Sequence, residues 1–298
     1  MKKYISIIFT IFLLSIVPIQ AQQRVLQIEP LFEYPVAPDE LHSIQEKCDY
    51  LVKNFWNNFD FKTKNAIDQY ALNEAFEVYL TTFQFASAKE VDQSFDKLIK
   101  NLSSNPLLLM QFGKAAEENL YGPRANFWSD QLYLKLLDAI IKNKKIAEKR
   151  KAKYISQAAT IRNTEIGKTA PEFWFQDKER ASKQYFPMST PTLLIFGDPD
   201  DTDWRLARLK MESNFKLSEA LEKGKINILY ILPMDKENWA NEVSNYNKYW
   251  TLGQSNDVKN IYDIRVYPAI YIVGSDGKIA KKNLSIEDSV TAILELVN

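Results

Sequence analysis

The first half of the chain carries apolar residues at helical spacing. The first stripe follows Asp39, which predicts a helix N-terminus there, and comprises Leu41, Ile44, Cys48, Leu51, Val52 and Phe55. Further helices are predicted over 71–83, from Ser87 with a capping box to Glu90, and over 106–120, 130–143 and 145–160. No alternating strand pattern interrupts these segments. Residues 39–160 are therefore predicted to be all-α, with aromatic side chains filling the core.

The pattern changes after Ile161 to short apolar runs between turn signals. Buried strands are predicted over 192–196, 226–232, 269–273 and 279–281. A helix over 203–221 connects the first two, which makes that pair parallel, and a tight turn at 275–278 makes the last pair antiparallel. With a final helix from Ser285 to Val297, the pattern predicts an α+β protein of two domains, an all-α N-terminal domain followed by an α/β domain with a mixed sheet.

The N-terminal segment is typical of a secretory signal peptide. Lys2 and Lys3 precede an apolar run over 5–17, and the small residue Ala21 follows. This run is shorter than the roughly 18–20 residues that span a bilayer, which disfavours a retained membrane anchor. We therefore expect an exported protein that is periplasmic, outer-membrane-associated or extracellular, with no transmembrane anchor after cleavage. The predicted divisions are a signal peptide over 1–21, a helical domain over 22–162 with an extended surface segment at 24–38, and a second domain over 163–298.

Composition removes several classes of function. Lys and Arg together count 38, as do Asp and Glu, so no net charge attracts nucleic acid. Cys48 is the only cysteine and His42 the only histidine, which disfavours an internal disulfide, a histidine-rich zinc site and a histidine-assisted nucleophile. The position of Cys48 in an apolar stripe predicts a buried structural thiol. The eight glycines form no phosphate-binding loop, and we expect no cofactor and no metal.

Sequence stretches in both halves resemble a known family. The second half contains IGKTAPEF at 166–173, LIFGDPDDTDW at 194–204 and YDIRVYP at 262–268, followed by a turn at Gly277. In this order they resemble exported thioredoxin-like proteins of the alkyl-hydroperoxide-reductase and cytochrome-c-maturation type. ENLYGPR at 118–124 and FWSD at 127–130 resemble the N-terminal helical domain, of unknown function, in one envelope branch of these proteins. The resemblance implies a thioredoxin-like fold over 163–298.

The segment that holds the reactive thiols in that family has no cysteine here. In active relatives a Cys-x-x-Cys pair begins the helix, where the first thiolate attacks a disulfide and the second thiol resolves the mixed disulfide. The resemblance places Asp201 at the attacking position and Trp204 at the resolving position. Neither side chain can form a disulfide or a sulfenic acid. We therefore predict that these redox positions are degenerate, that the domain has no catalytic residue, and that the protein is not an enzyme.

Pro268 matches the proline that is preceded by a cis bond in the family. In relatives the residue before it, here Tyr267, offers its backbone to an extended substrate. Two interpretations are open: Tyr267 and Pro268 form a peptide-binding groove, or they form a rigid turn that leads into the next strand.

Four carboxylates crowd into six residues, at Asp198, Asp200, Asp201 and Asp203. They do not fit a calcium loop of the EF-hand kind, because Asp203 and Leu209 stand where that loop needs glycine and glutamate. Acidic residues at a helix start also satisfy its unpaired N–H groups, so helix capping is the favoured interpretation. The alternatives are a metal ion and an acidic docking surface.

Two further clusters have a structural and a functional interpretation each. The basic residues between Lys142 and Lys153 predict the solvated face of a long helix, with a docking patch as the alternative. The aromatic cluster over 237–252 either covers the edge of the sheet or forms a contact surface, and it comprises Trp239, Tyr246, Tyr249 and Trp250.

The hypothesis that follows is a redox-inactive thioredoxin-like protein of the cell envelope that acts in protein binding or assembly with an envelope protein partner. One alternative is a protein related to thiol-disulfide oxidoreductases that works with a partner's cysteines. Another is a carboxylate-dependent activity at Asp201, and a third is a peptide-binding holdase that uses the groove beside Pro268.

Overall fold

Helices make up the first part of the described chain. The computed structural model describes residues 30–187 and 189–297, so the predicted signal peptide lies outside the described residues. The helices here are α1 (Ile44–Asn54), α2 (Gln69–Thr81), α3 (Ala88–Leu102), α4 (Pro106–Ala116), α5 (Asp130–Lys142) and α6 (Glu148–Asn163). Short 3-10 turns follow α1 and α2, at Phe55–Asn58 and Thr82–Gln84, and a π-helical turn at Glu117–Tyr121 continues α4. The all-α prediction for this region is confirmed.

The first helix begins later than the pattern predicted. Ser43, not Asp39, is the N-cap of α1: its Oγ accepts from the Glu46 backbone N–H at 3.1 Å, and the Glu46 carboxylate accepts from the Ser43 N–H at 3.0 Å. This reciprocal pair satisfies two N–H donors at once, which a lone aspartate cannot do. The first turn of α1 therefore lies at the surface, with Ile44 63% exposed, and Cys48 is only half-buried instead of buried.

The helices pack around a core rich in aromatic rings. Trp56 lies at its centre, with ring centroids 5.0 Å from Phe55 and 5.1 Å from Phe112. The extended segment before α1 adds to this core, because the Phe32 ring lies 5.4 Å from Trp56 and the Tyr34 ring stacks at 5.1 Å on Phe55. This segment was predicted to lie on the surface, but the structure shows that its rings are part of the packing. Edge-to-face pairs of this kind add to the stabilisation that burial provides.

Within the described residues, seven strands form one mixed sheet. They are β1 (Phe173–Gln176), β2 (Ser182–Tyr185), β3 (Thr192–Phe196), β4 (Asn227–Leu232), β5 (Thr251–Gln254), β6 (Ala269–Val273) and β7 (Ile279–Lys282). Their order across the sheet is β2-β1-β5-β4-β3-β6-β7. As predicted, β3 is parallel to β4 and β6 is antiparallel to β7. The described chain is therefore an α+β protein in which a helical region precedes a mixed sheet.

Four helices accompany the sheet: α7 (Thr202–Glu212), α8 (Phe215–Glu222), α9 (Trp239–Glu242) and α10 (Ile286–Glu295), together with a 3-10 turn at Asp257–Asn260. The single helix predicted over 203–221 is in fact two. The first helix ends at the C-cap Ser213, and Asn214 caps the second, because its side chain accepts from the Leu217 backbone N–H at 3.0 Å. Asparagine competes for backbone hydrogen bonds in this way, which favours a break over continuation of the helix.

Two strands at one side of the sheet have weak sequence signals. The predicted entry strand over 166–173 forms only at its end, where β1 begins at Phe173 and pairs with β2 as a hairpin. The neighbouring β5 contains Gly253, where a Cβ atom would lie 2.2 Å from the Phe175 ring. Close packing of the Phe175 ring therefore requires glycine at this position of a buried strand. Because Gly253 interrupts the apolar run, the sequence pattern does not predict a strand there.

The sheet has an aromatic core on each face. One face packs Trp204, Tyr230, Tyr246 and Trp250 under helices α7, α8 and α10, and the other packs Phe173, Phe196, Tyr262 and Tyr271. The peptide bond between Tyr267 and Pro268 is cis, immediately before β6. None of the helices in the described part of the chain is both long and apolar enough to cross a membrane.

Candidate functional site

The topology brings the predicted site residues to one end of the sheet. β3 and β6 run antiparallel, and Phe196 at the end of β3 pairs with Ala269 at the start of β6. The loop that begins at Gly197 and carries the four aspartates therefore leaves the sheet beside Pro268. This is the arrangement that the resemblance implied for the two segments.

Asp201 occupies the N-cap of α7. Its Oδ1 accepts a hydrogen bond from the Trp204 backbone N–H at 2.7 Å, which satisfies one of the unpaired donors of the first helical turn. Asp198 acts similarly one turn earlier, since its Oδ1 accepts from the Asp200 backbone N–H at 3.0 Å. Asp201 therefore caps the helix as the favoured interpretation predicts, whereas Asp198 stabilises the loop before it.

The other two aspartates point to the surface. Asp200 pairs with Lys236 at 2.6 Å, and Lys236 also contacts Glu242 at 2.8 Å. The hydrogen bonds that the Lys236 ammonium donates to these two carboxylates raise the pKa of Lys236 above its ordinary value. Asp203 is exposed, and among residues 30–187 and 189–297 no three acidic, histidine or cysteine side chains are grouped as metal ligands.

Trp204, which the resemblance places at the position of the resolving thiol, belongs to the core. Its side chain is fully buried and stacks on Tyr230, with ring centroids 4.8 Å apart and planes 11° apart. The Trp204 indole N–H donates to the Tyr246 hydroxyl at 2.9 Å, and the Tyr230 hydroxyl donates to the Gly197 carbonyl at 2.9 Å. Both polar atoms of the stacked pair are thus satisfied internally. Aromatic packing therefore fills the space around this side chain.

The aromatic residues over 237–252 complete this core. Trp239, Tyr246 and Trp250 are buried, and only Tyr249 is substantially exposed, with its hydroxyl donating to Glu222 at 3.0 Å. Burial raises the pKa of Tyr246. The alternative of a contact surface is therefore wrong for the three buried members, because their rings face the sheet. The indole and phenol rings of these three residues pack in the core on this face of the sheet.

The loop before β6 is the accessible part of this end of the sheet. Tyr267 and Pro268 are half-buried, and the Lys259 ammonium lies 5.9 Å from the centre of the Tyr267 ring. Backbone N–H and C=O groups over 264–267 make no hydrogen bonds to other residues that the structure describes. A segment with free backbone groups can pair with another chain in the manner of a strand.

A buried charge network, which sequence reasoning missed, joins this loop to the helical region. Arg265 is 3% exposed, and its Nε donates to Asp263 Oδ2 at 2.9 Å while its Nη2 contacts Asp130 at the start of α5. The Tyr121 hydroxyl donates to Asp263 Oδ1 at 2.8 Å, and Lys282 of β7 pairs with Asp130 at 2.7 Å. The stretches at 118–124, 127–130 and 262–268 therefore meet in space, although each was quoted only for its resemblance.

The charges in this network stabilise one another. Burial alone would raise the pKa of Asp130, but Arg265 and Lys282 outweigh it and the pKa is lowered. Burial would likewise lower the pKa of Arg265, but the two carboxylates raise it. The guanidinium also lies 4.2 Å from the centre of the Tyr121 ring, a favourable cation–π distance. Removing one member leaves an uncompensated buried charge, which is strongly destabilising.

The sheet and its helices have a thioredoxin-like fold. A thioredoxin-like protein from Bacteroides caccae superposes on 89% of this chain and 98% of its own, with a TM-score of 0.71 and 18% sequence identity. The thioredoxin domain of a thiol-disulfide oxidoreductase from Bacteroides vulgatus is also similar, at 22% identity over 45% of this chain and 99% of its own, with a TM-score of 0.39.

The helical region places the chain in a family. Residues 15–164 match the model of DUF5106, a domain of unknown function, and the chain belongs to that family. No curated protein matches this chain.

Proposed function

We propose that this protein is exported to the cell envelope and acts there by binding another protein, without exchanging thiols or disulfides. The observation that carries the proposal is the burial of Trp204 at the resolving position, together with the role of Asp201 as a helix cap. An active thioredoxin site needs an accessible thiolate at the start of the helix. Here those positions stabilise the fold.

The loop over 264–268 is the proposed contact for an extended segment of the partner. Its backbone groups are free of partners in the described structure, and Tyr267 supplies a half-exposed aromatic ring beside them. Backbone pairing would give affinity, and the Tyr267 ring would give selectivity. A holdase that binds unfolded chains would use the same groups.

Two assays on the mature protein test this function. In an insulin-reduction assay we expect no rate above buffer, and a clear rate would overturn the redox-inactive assignment. A photo-crosslinking residue at Tyr267 should capture an envelope protein, whereas the same residue at Tyr249, which is also partly exposed, should not. Equal capture from both positions would argue against the loop as the contact.

The thiol-related alternative makes a different prediction. A protein that works with a partner's cysteines would accelerate disulfide reduction only when that partner is present. The rate at which a purified envelope protein with a Cys-x-x-Cys motif reduces insulin should be the same with and without this protein, if binding without redox chemistry is correct. Export is tested by sequencing the N-terminus of the protein from the envelope fraction, which we expect to begin at Gln22.

A further inference from the structure

A large cleft lies in the helical region, away from the thioredoxin-like site. It has a volume of about 850 Å³, within the range of small-molecule sites. Its walls come from α4, the π-helical turn, the segment at 122–124 and the first turns of α6. The π-helical turn is closed by the Gly122 N–H, which donates to the Glu117 carbonyl at 2.6 Å. Single π-helical turns occur often at functional sites.

The charged side chains around the cleft are unequally paired. Lys153 is neutralised by Glu117 at 2.7 Å, and Glu117 also accepts from Gln157 at 2.8 Å. Lys114, Arg124 and Arg150 line the cleft, and none of these three has an ion-pair partner in the described part of the chain. The remaining acid, Glu118, bonds to the Asn73 amide. The cleft therefore presents an excess of positive charge.

The floor of the cleft is apolar and holds one unsatisfied donor. Leu107, Met110 and the Tyr154 ring supply the apolar surface. Tyr154 is only 6% exposed as a residue, but its hydroxyl is not fully buried and makes no hydrogen bond to another residue that the structure describes. This hydroxyl can therefore donate a hydrogen bond to a ligand bound in the cleft.

We propose that this cleft binds a small organic anion, a carboxylate or a phosphate monoester that carries an apolar group. The anionic group would lie between Arg124, Arg150 and Lys114 and accept a hydrogen bond from Tyr154. The apolar group would cover Leu107 and Met110. Guanidinium groups suit this role, because they bind carboxylate and phosphate oxygens in pairs.

Isothermal titration of the full mature protein tests the proposal, with octanoate and octyl phosphate as probes. We expect saturable 1:1 binding of at least one probe, and the preferred probe identifies the anionic group. 1-Octanol and inorganic phosphate, which each carry half of the proposed chemistry, should bind at least about 10-fold more weakly. Absence of saturation by both anions, or equal binding of octanol, would overturn the proposal.

Variants locate the site. The double variant R124Q/R150Q should weaken binding about 10-fold or more, and Tyr154→Phe, which keeps the ring and removes the donor, should weaken it about 10-fold. Lys149→Gln is the matched control, because Lys149 lies on α6, is exposed and does not line the cleft. A loss in the control equal to that in R124Q/R150Q would mean that general surface charge, not this cleft, attracts the probe. The result is independent of the insulin and crosslinking assays, so the two proposals can fail separately.

Discussion

The aromatic core under α7 and the cleft beside α4 and α6 differ in how their polar groups are paired. In the core, the Trp204 indole N–H donates to Tyr246 and the Tyr230 hydroxyl donates to the Gly197 carbonyl, so both polar atoms of the stacked pair have a partner. In the cleft, three cations have no ion-pair partner and the Tyr154 hydroxyl has no hydrogen-bond partner among the described residues. A thioredoxin-like fold therefore does not by itself indicate where a ligand binds, because function depends on the residues of each site.

The largest expected effect comes from removing the buried ring of Trp204. Trp204→Ala should lower the free energy of unfolding by about 3–5 kcal/mol, because it removes a fully buried ring and leaves a cavity. Urea unfolding of both proteins measures this. Trp174→Ala is the control, since Trp174 is 60% exposed on β1, and should cost no more than about 1 kcal/mol. Equal effects of the two variants would contradict the view that position 204 is structural.

The next largest effect on stability is expected at the hydrogen bond between Tyr121 of the helical region and Asp263 of the loop before β6. Tyr121→Phe removes the donor to the buried Asp263 carboxylate, and should cost about 1.5–3 kcal/mol, the range for hydrogen bonds to charged groups. Tyr70→Phe, at an exposed phenol, should leave the urea midpoint unchanged. A neutral result for Tyr121→Phe would show that Arg265 alone satisfies Asp263.

A smaller effect separates helix capping from negative charge at Asp201. Asp201→Ala should lower the free energy of unfolding by about 1 kcal/mol. Asp201→Asn can still accept from the Trp204 N–H, so it should cost only about a few tenths of a kcal/mol. Thermal unfolding with both variants gives the comparison. Should asparagine cost as much as alanine, the negative charge of Asp201 would have a role beyond the helix cap.

The smallest effect is expected at the cleft. Arg150→Gln should change the free energy of unfolding by less than about 0.5 kcal/mol, because the side chain is exposed and has no ion-pair partner in the described structure. Paired with the titrations, this separates a binding role from a structural one. A loss above about 1 kcal/mol in urea unfolding would indicate that Arg150 supports the helical packing.

Pattern analysis recovered the elements whose signals are local. The strands at 192–196 and 269–273 match to the residue because each is a continuous apolar run between turn signals. It missed β5, where close packing of Phe175 requires Gly253, and it joined α7 and α8 across the Asn214 cap. The basic run at 142–153 is not one solvated face either, since Lys151 is 3% exposed and pairs with Glu148 at 2.8 Å. The β5 departure depends on packing against Phe175 of another strand, whereas the Asn214 cap and the Lys151–Glu148 pair are contacts inside their own segments that apolar periodicity does not report.

The sequence by itself determined that no pair of thiols exists in this chain, that helices precede a mixed sheet, and that Asp201 and Trp204 follow the first central strand. Composition and periodicity are properties of the chain alone, so no folding is needed to see them. Only the tertiary structure decided that Trp204 is core, that Arg265 and Asp130 meet across 135 residues of sequence, and that three cations without an ion-pair partner in the described residues line one cleft. Burial and pairing are properties of residues distant in sequence, and the fold alone brings those residues together.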